Sequence, residues 1–301
     1  MAKRPSSAAY SSTCGFSPTT NRPKFWRVSA RFAPSPTGRL HCGHAFSALT
    51  AYKTALEVDG RFVVRIEDID GTRCRPEFET GILEDLAWLG LKWEQPVLRQ
   101  SDHLADYEAA ISDLTARGLT YRCFKTRRDV AQGIASAPHG NTDAFFGSPL
   151  PHAEESDRLD RGEPFAWRLS LDRAKAELRG FQNLSFHDDA IGMIAAEPER
   201  AGDIILARKD FGIAYHLAVV IDDARQAISH VVRGEDLREA THIQCLLQAL
   251  LHLPTPTYRH HRLILGEDGE RLSKRHRAQT LEQLRTQGLT AMDLRRELGF
   301  D

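Results

Sequence analysis

Short apolar runs that end in polar clusters, each followed by a stretch with helical spacing, set the limits on how this chain can fold. Residues 61–66 have a β-branched centre and pass into Glu67, Asp68, Ile69 and Asp70, the pattern of a buried parallel strand. Pro76 then opens a helix whose apolar positions Phe78, Ile82, Leu83, Leu86 and Leu89 share one face, closed by Gly90. A second helix runs through Leu104, Tyr107, Ile111 and Leu114 to Gly118. Further strands are predicted around Phe25, Trp26, Val28 and Phe32, at 165–169, at 185–187 and at 228–232. Residues 203–212 read as a hairpin leading into Tyr215 and a helix from Leu217 to Ile221. Another helix reaches Leu251, and residues 261–265 read as a last strand. Alternation of this kind predicts an α/β, Rossmann-like, doubly wound parallel sheet, which binds ligands at the carboxyl ends of its strands. No internal repeat interrupts it.

At 301 residues the chain holds one large domain and an insertion. Residues 25–98 and 201–278 are expected to form the two halves of the core, with an α+β subdomain, 99–200, inserted between them. Within it, residues 134–163 carry Pro138, Gly140, Gly147, Pro149, Pro151 and Gly162 and read as loop. Residues 279–301 leave room for about two short helices. Residues 1–24 are rich in Ser, Thr, Pro, Lys and Arg, precede the first acidic residue, Glu57, and lack apolar periodicity, so a disordered extension is expected.

The 40 basic and 41 acidic residues nearly cancel, so contact with nucleic acid must come from local patches and not from bulk attraction. No apolar run approaches the roughly 20 residues of a bilayer span. The five cysteines, Cys14, Cys42, Cys74, Cys123 and Cys245, are scattered and odd in number. A soluble, cytoplasmic monomer in a reducing compartment is expected.

Two islands carry chemistry. The turn Ala33-Pro34-Ser35-Pro36-Thr37-Gly38 leads to His41-Cys42-Gly43-His44, which opens an amphipathic helix through Ala45, Leu49, Tyr52 and Leu56. A helix start offers unpaired N–H groups and partial positive charge, Gly43 allows close approach, and the two imidazoles lie one turn apart, which outlines a phosphate site. Arg271-Leu272-Ser273-Lys274-Arg275 follows the turn Gly266-Glu267-Asp268-Gly269 and puts a cation on a loop where it could close over a polyphosphate.

Found in this order, the islands resemble the HIGH and KMSKS signatures of class I aminoacyl-tRNA synthetases. Residues 31–41, 65–70, 215–223 and 232–237 also resemble glutamyl-tRNA synthetase catalytic-domain segments, and the likeness covers roughly residues 28 to 285. Members of that family carry a helical anticodon-reading region after the lysine loop; here only Thr280 to Asp301 follow it. The resemblance therefore points to the stand-alone paralogues of the catalytic half, which attach glutamate to the queuosine base of tRNA(Asp); the alternatives are a truncated glutamyl- or glutaminyl-tRNA synthetase that charges the terminal ribose and a catalytically silent tRNA-binding paralogue.

This resemblance implies ATP, Mg2+ and L-glutamate as reactants and tRNA(Asp) bearing queuosine as acceptor. His41, Gly43 and His44 would meet ATP, with Lys274 stabilising departing pyrophosphate and Arg271, Ser273 and Arg275 beside it. Arg31 and Arg233 would take glutamate's carboxylates, Glu67 its ammonium, and Ser35 and Tyr215 would donate hydrogen bonds. Many family members hold zinc in the insertion with a Cys-x-Cys pair, a Tyr and a further Cys. In the matching stretch Tyr121-Arg122-Cys123-Phe124-Lys125 only Cys123 remains, so structural zinc is expected to be absent and the loop held by packing.

Overall fold

The computed structural model describes residues 29–57, 59–126, 128–130, 144–208, 212–264 and 279–300. At its centre β1 (Ser29–Phe32) lies between two parallel neighbours, β2 (Arg61–Ile66) and β10 (His230–Gly234). Beyond β2 the sheet ends at β3 (Leu98–Arg99). Beyond β10 it continues through β11 (Thr257–His261) and β6 (Ser185–Asp188), all parallel, to the antiparallel edge strand β7 (Gly192–Ala195). The winding thus reverses between β1 and β10, and a doubly wound sheet opens a crevice at that point.

Helix α1 (Cys42–Leu56) lies against β1 and β10 and buries Leu49 with Ala45, Ala48, Ala51 and Ala55, four small residues that let it approach the sheet closely. Helix α2 (Pro76–Trp88) starts with proline and two glutamates in its first turn, which suits the fixed φ and the dipole of a helix start, and buries Ile82 and Leu86. The short C-terminal helices, α8 (Leu281–Thr286) and α9 (Ala291–Glu297), place Leu281, Leu294 and Leu298 in the same core.

A second core lies under a four-stranded antiparallel sheet of β4 (Thr120–Cys123), β5 (Ala166–Leu169), β8 (Ile205–Arg208) and β9 (Gly212–Ile213). Helices α3 (Leu104–Ala116), α5 (Leu171–Glu177), α6 (Tyr215–Arg225) and α7 (Arg238–Leu250) contribute its apolar side chains. No helix among the described residues is long and apolar enough to cross a membrane.

Sheet membership divides the chain differently from the sequence expectation. Residues 185–195, assigned above to the insertion, extend the core sheet, because β6 pairs with β11 far away in sequence. Residues 205–208 and 212–213, assigned to the second half of the core, close the four-stranded sheet. Among the described residues the last core strand is 257–261, whereas the sequence predicts a strand over 261–265: it alternates Tyr258 and His260 inward, a polar pattern that hides a strand, while Leu263 and Ile264 leave the strand and face the crevice. Residues 152–160, read as loop, form helix α4 (His152–Asp160), which buries no side chain and so leaves no apolar period. Its acidic first turn and the pairing of Arg158 with Glu154 support it. The expectations for Phe25, Trp26, Val28, the first 24 residues and residues 134–143 of the loop fall outside the described residues.

Candidate active site

The carboxyl ends of three adjacent strands converge on one crevice. Arg31 stands near the end of β1, Arg233 near the end of β10, and Glu67 directly after β2. They share a cleft of about 550 Å3 with Ser35, His41, Gly43, His44 and Tyr215. Eight of the residues singled out from the sequence are thereby brought together. Arg271, Ser273, Lys274 and Arg275 lie outside the described residues; the chain enters that stretch from Ile264 in the cleft wall and leaves it at Thr280, which bridges to His41.

At one end of the cleft, His41 is the N-cap of α1. Its Nδ1 accepts from the Gly43 N–H at 3.1 Å, and its own N–H donates to His44 Nδ1 at 3.2 Å, so two first-turn groups are satisfied reciprocally. The two rings lie 3.8 Å apart. A Cβ on Gly43 would meet His41 Cε1 at 3.0 Å, so the glycine makes room for this imidazole.

At the other end, Arg31 is not a bare guanidinium. Its Nε and Nη2 donate to the two oxygens of Asp223 at 3.0 and 3.2 Å, a bidentate pair that fixes its plane and leaves three N–H donors for a ligand. Arg65 lies beneath, fully buried, donating to Asp223 at 2.8 Å, Gln226 at 3.0 Å and Glu67 at 3.2 Å. Burial alone would raise Asp223, but Arg31 and Arg65 on either side outweigh it and hold the carboxyl below its usual range. Burial wins at Glu67, whose carboxyl is raised despite the attraction of Arg65 and Arg31. Asp222 is raised for the same reason, although Gln100 and Tyr107 donate to it at 2.8 and 2.9 Å.

Arg233 is equally ordered. Its Nε donates to His260 Nε2 at 3.2 Å, Nη1 to Gln244 Oε1 at 2.8 Å and Nη2 to Thr241 Oγ1 at 2.7 Å. Three of its five N–H donors are thus engaged and two remain. Arg65, Asp222 and Asp223 lie within the family-like segments but have no role assignable from sequence, and His260, Asp188, Thr241 and Gln244 carry no sequence motif. The available signals were an arginine inside an apolar strand and an Asp-Asp pair closing an apolar helix. Both mark buried charge that demands partners.

Of the family's zinc ligands, Cys123 stands at this place among the described residues without a set of partners for a metal. The Tyr121 hydroxyl donates to Asp203 at 2.7 Å, and the Lys125 ammonium lies over the Phe145 ring at 5.4 Å. No group of three or more His, Cys, Asp or Glu arranged to hold a metal occurs among the described residues. The residues at this place do not fit zinc.

Comparison with known proteins gives the family of the chain. Residues 27–299 match the family described as tRNA synthetases class I (E and Q), catalytic domain. A glutamyl-Q tRNA(Asp) synthetase of Rhodobacter capsulatus is 45% identical over 280 residues, covering 90% of this chain and 99% of that protein. One from Nocardia farcinica is 42% identical over 255 residues, covering 84% and 78%. Among solved structures, a glutamate tRNA ligase of Elizabethkingia meningosepticum in complex with its amino acid superposes with a TM-score of 0.70 at 28% identity. It covers 87% of this chain, which spans 53% of that ligase. The chain is therefore a ligase that belongs to the class I tRNA synthetase catalytic-domain family for glutamate and glutamine, among the glutamyl-Q tRNA(Asp) synthetases.

Proposed function

We propose that the chain activates L-glutamate with ATP, without needing tRNA, and then transfers glutamate to the queuosine base of tRNA(Asp). An oxygen of the α-carboxylate attacks the α-phosphorus, the bond to the β,γ-unit breaks, and pyrophosphate leaves; a hydroxyl of the base then attacks the acyl carbon and AMP leaves. The observation that carries this reading is the pair of prepositioned guanidiniums, Arg31 and Arg233, with N–H donors to spare, facing the Glu67 carboxylate in one cleft. Two cations and one anion match a substrate with two carboxylates and one ammonium. Ser35 and Tyr215 line the same pocket and add hydroxyl donors.

His41 and His44, with the N–H groups of α1, face the phosphates and adenosine of ATP, and Lys274 stabilises the departing pyrophosphate, assisted by Arg271, Ser273 and Arg275. Imidazoles and N–H groups suit phosphate oxygens, so Mg2+ arrives on the nucleotide, where it offsets phosphate charge. Acting as a soluble monomer, the protein needs no further subunit to complete this pocket.

Glutamate-dependent pyrophosphate exchange without tRNA tests the first step. For the second, labelled glutamate is offered to tRNA(Asp) lacking its 3′-terminal adenosine and to tRNA(Asp) lacking queuosine. The proposal expects labelling of the first and none of the second; the reverse pattern places the ester on the terminal ribose and overturns it. Lys274→Ala is expected to lower the exchange rate about 10²–10³-fold with little change in glutamate KM.

A further inference from the structure

Three neighbouring strands carry a row of polar side chains that leads away from the glutamate pocket. Arg233 on β10 is the register partner of His260 on β11, and β11 in turn pairs with β6, which ends at Asp188. The contacts follow that row: Asp188 Oδ2 lies 2.6 Å from His260 Nδ1, and His260 Nε2 lies 3.2 Å from Arg233 Nε. The side chains of His260 and Asp188 have no solvent exposure. Polar groups buried this deeply cost folding free energy unless they are satisfied and used.

The chemistry of the partners sets the state of the imidazole. Arg233 Nε–H can only donate, and an ionised Asp188 can only accept. One tautomer satisfies both, with the proton on Nδ1 and the lone pair on Nε2. Thr241 agrees: its Oγ1 accepts from Arg233 Nη2 and lies 3.3 Å from His260 Nε2, so its own proton is available to the same lone pair. The Ala190 N–H donates to the other Asp188 oxygen at 2.9 Å, which holds the carboxylate in place. Burial pushes His260 down, against the pull of Asp188, with Arg233 and Arg238 adding to the downward shift. A protonated or flipped imidazole would turn an N–H toward the Arg233 N–H and release the guanidinium.

We infer that His260 and Asp188 are positioning residues for glutamate recognition: they lock the plane of Arg233 so that its two remaining N–H donors point at a substrate carboxylate. This rests on the assignment of Arg233 to the glutamate pocket. It also gives the β6–β7 hairpin a role in the reaction, since Asp188 reaches the row only because that hairpin joins the core sheet. Neither residue touches the substrate.

Steady-state pyrophosphate exchange on Asp188→Asn, His260→Gln and Arg233→Ala tests it. Asp188→Asn keeps shape but offers an N–H to either His260 or Ala190, so the favoured tautomer is lost with minimal repacking. Both positioning variants are expected to raise glutamate KM about five- to tenfold, the loss of roughly one hydrogen bond, while ATP KM stays within twofold. In an Arg233→Ala background, His260→Gln is expected to add nothing further to glutamate KM, because it acts through the missing guanidinium. If Arg233→Ala raises glutamate KM and both positioning variants leave it unchanged, or if the effects of His260→Gln and Arg233→Ala simply multiply, the relay is wrong and the pocket stands. If Arg233→Ala itself leaves glutamate KM unchanged, the pocket assignment fails and the relay with it. Melting temperatures of the same variants separate a general loss of folding, which shifts all the kinetic constants together, from this selective effect.

Discussion

Arg65 lies at the centre of a buried charge cluster, with Asp222, Asp223 and Glu67 around it, Arg31 as a second buried cation and the partly exposed Arg225 at the edge, 3.9 Å from Asp222. Replacing it by methionine keeps much of the volume but leaves three buried carboxylates with one buried guanidinium, Arg31, and the partly exposed Arg225. Removing one member of a buried ionic network costs about 3–5 kcal/mol, and urea unfolding of Arg65→Met at neutral pH should show a loss of that size. The sign with pH follows from the remaining groups. A carboxyl whose folded pKa is raised destabilises the fold above its unfolded value, and protonation relieves that penalty, so the deficit should shrink as the pH is lowered. A deficit that grew in acid would mean that Arg65 is not what balances these carboxylates. Glu67 carries a second prediction. Its raised carboxyl takes up a proton before glutamate's own side chain does, so glutamate KM should climb toward acid pH starting above the usual carboxylate range. Glu67→Gln should have a high KM at neutral pH and lose this acid limb; an unchanged limb would assign it to another group.

Helix α1 and the strands beside it were legible because their signals are local. Arg31, Glu67 and Arg233 sit where an apolar run turns polar, and His41 and Gly43 sit where helical spacing begins. The hairpin of β6 and β7 was not legible as core, since its partner β11 lies about seventy residues away and is itself disguised by Arg259, His260 and His261. Side-chain engagement was also invisible: nothing in the order of residues says that Arg31 spends two donors on Asp223. Helix α4 lacked an apolar face to read. At the start of α1, Gly43→Ala puts a methyl 3.0 Å from His41 Cε1 in a helix that otherwise favours alanine. Stability should change by under about 1 kcal/mol, while displacement of the imidazole should lower the exchange rate about tenfold with glutamate KM unchanged. Full activity in that variant would remove His41 from the phosphate end. At β4, where Tyr121 is bonded to Asp203, elemental analysis of the purified protein should find no stoichiometric zinc.

At the scale of the whole molecule, the C-terminal helices are tied to the catalytic end as well as to the core. Thr280 bridges to His41, and the N–H of Leu281 donates to the carbonyl of Leu40 at 2.9 Å, so α8 begins against the backbone that presents the first imidazole. Leu281 is fully buried there, and Leu294 of α9 is buried in the same core. Truncating either leucine to alanine removes comparable apolar surface and should cost about 2–5 kcal/mol in unfolding. Their kinetic effects should differ. Leu281→Ala loosens the strand-like contact at residues 40–41 and is expected to raise ATP KM and lower the exchange rate, whereas Leu294→Ala is expected to leave both close to the parent values at temperatures where it stays folded. Equal kinetic losses from the two variants would mean that the C-terminal helices act on the site only through overall stability, and that the bridge between Thr280 and His41 transmits nothing.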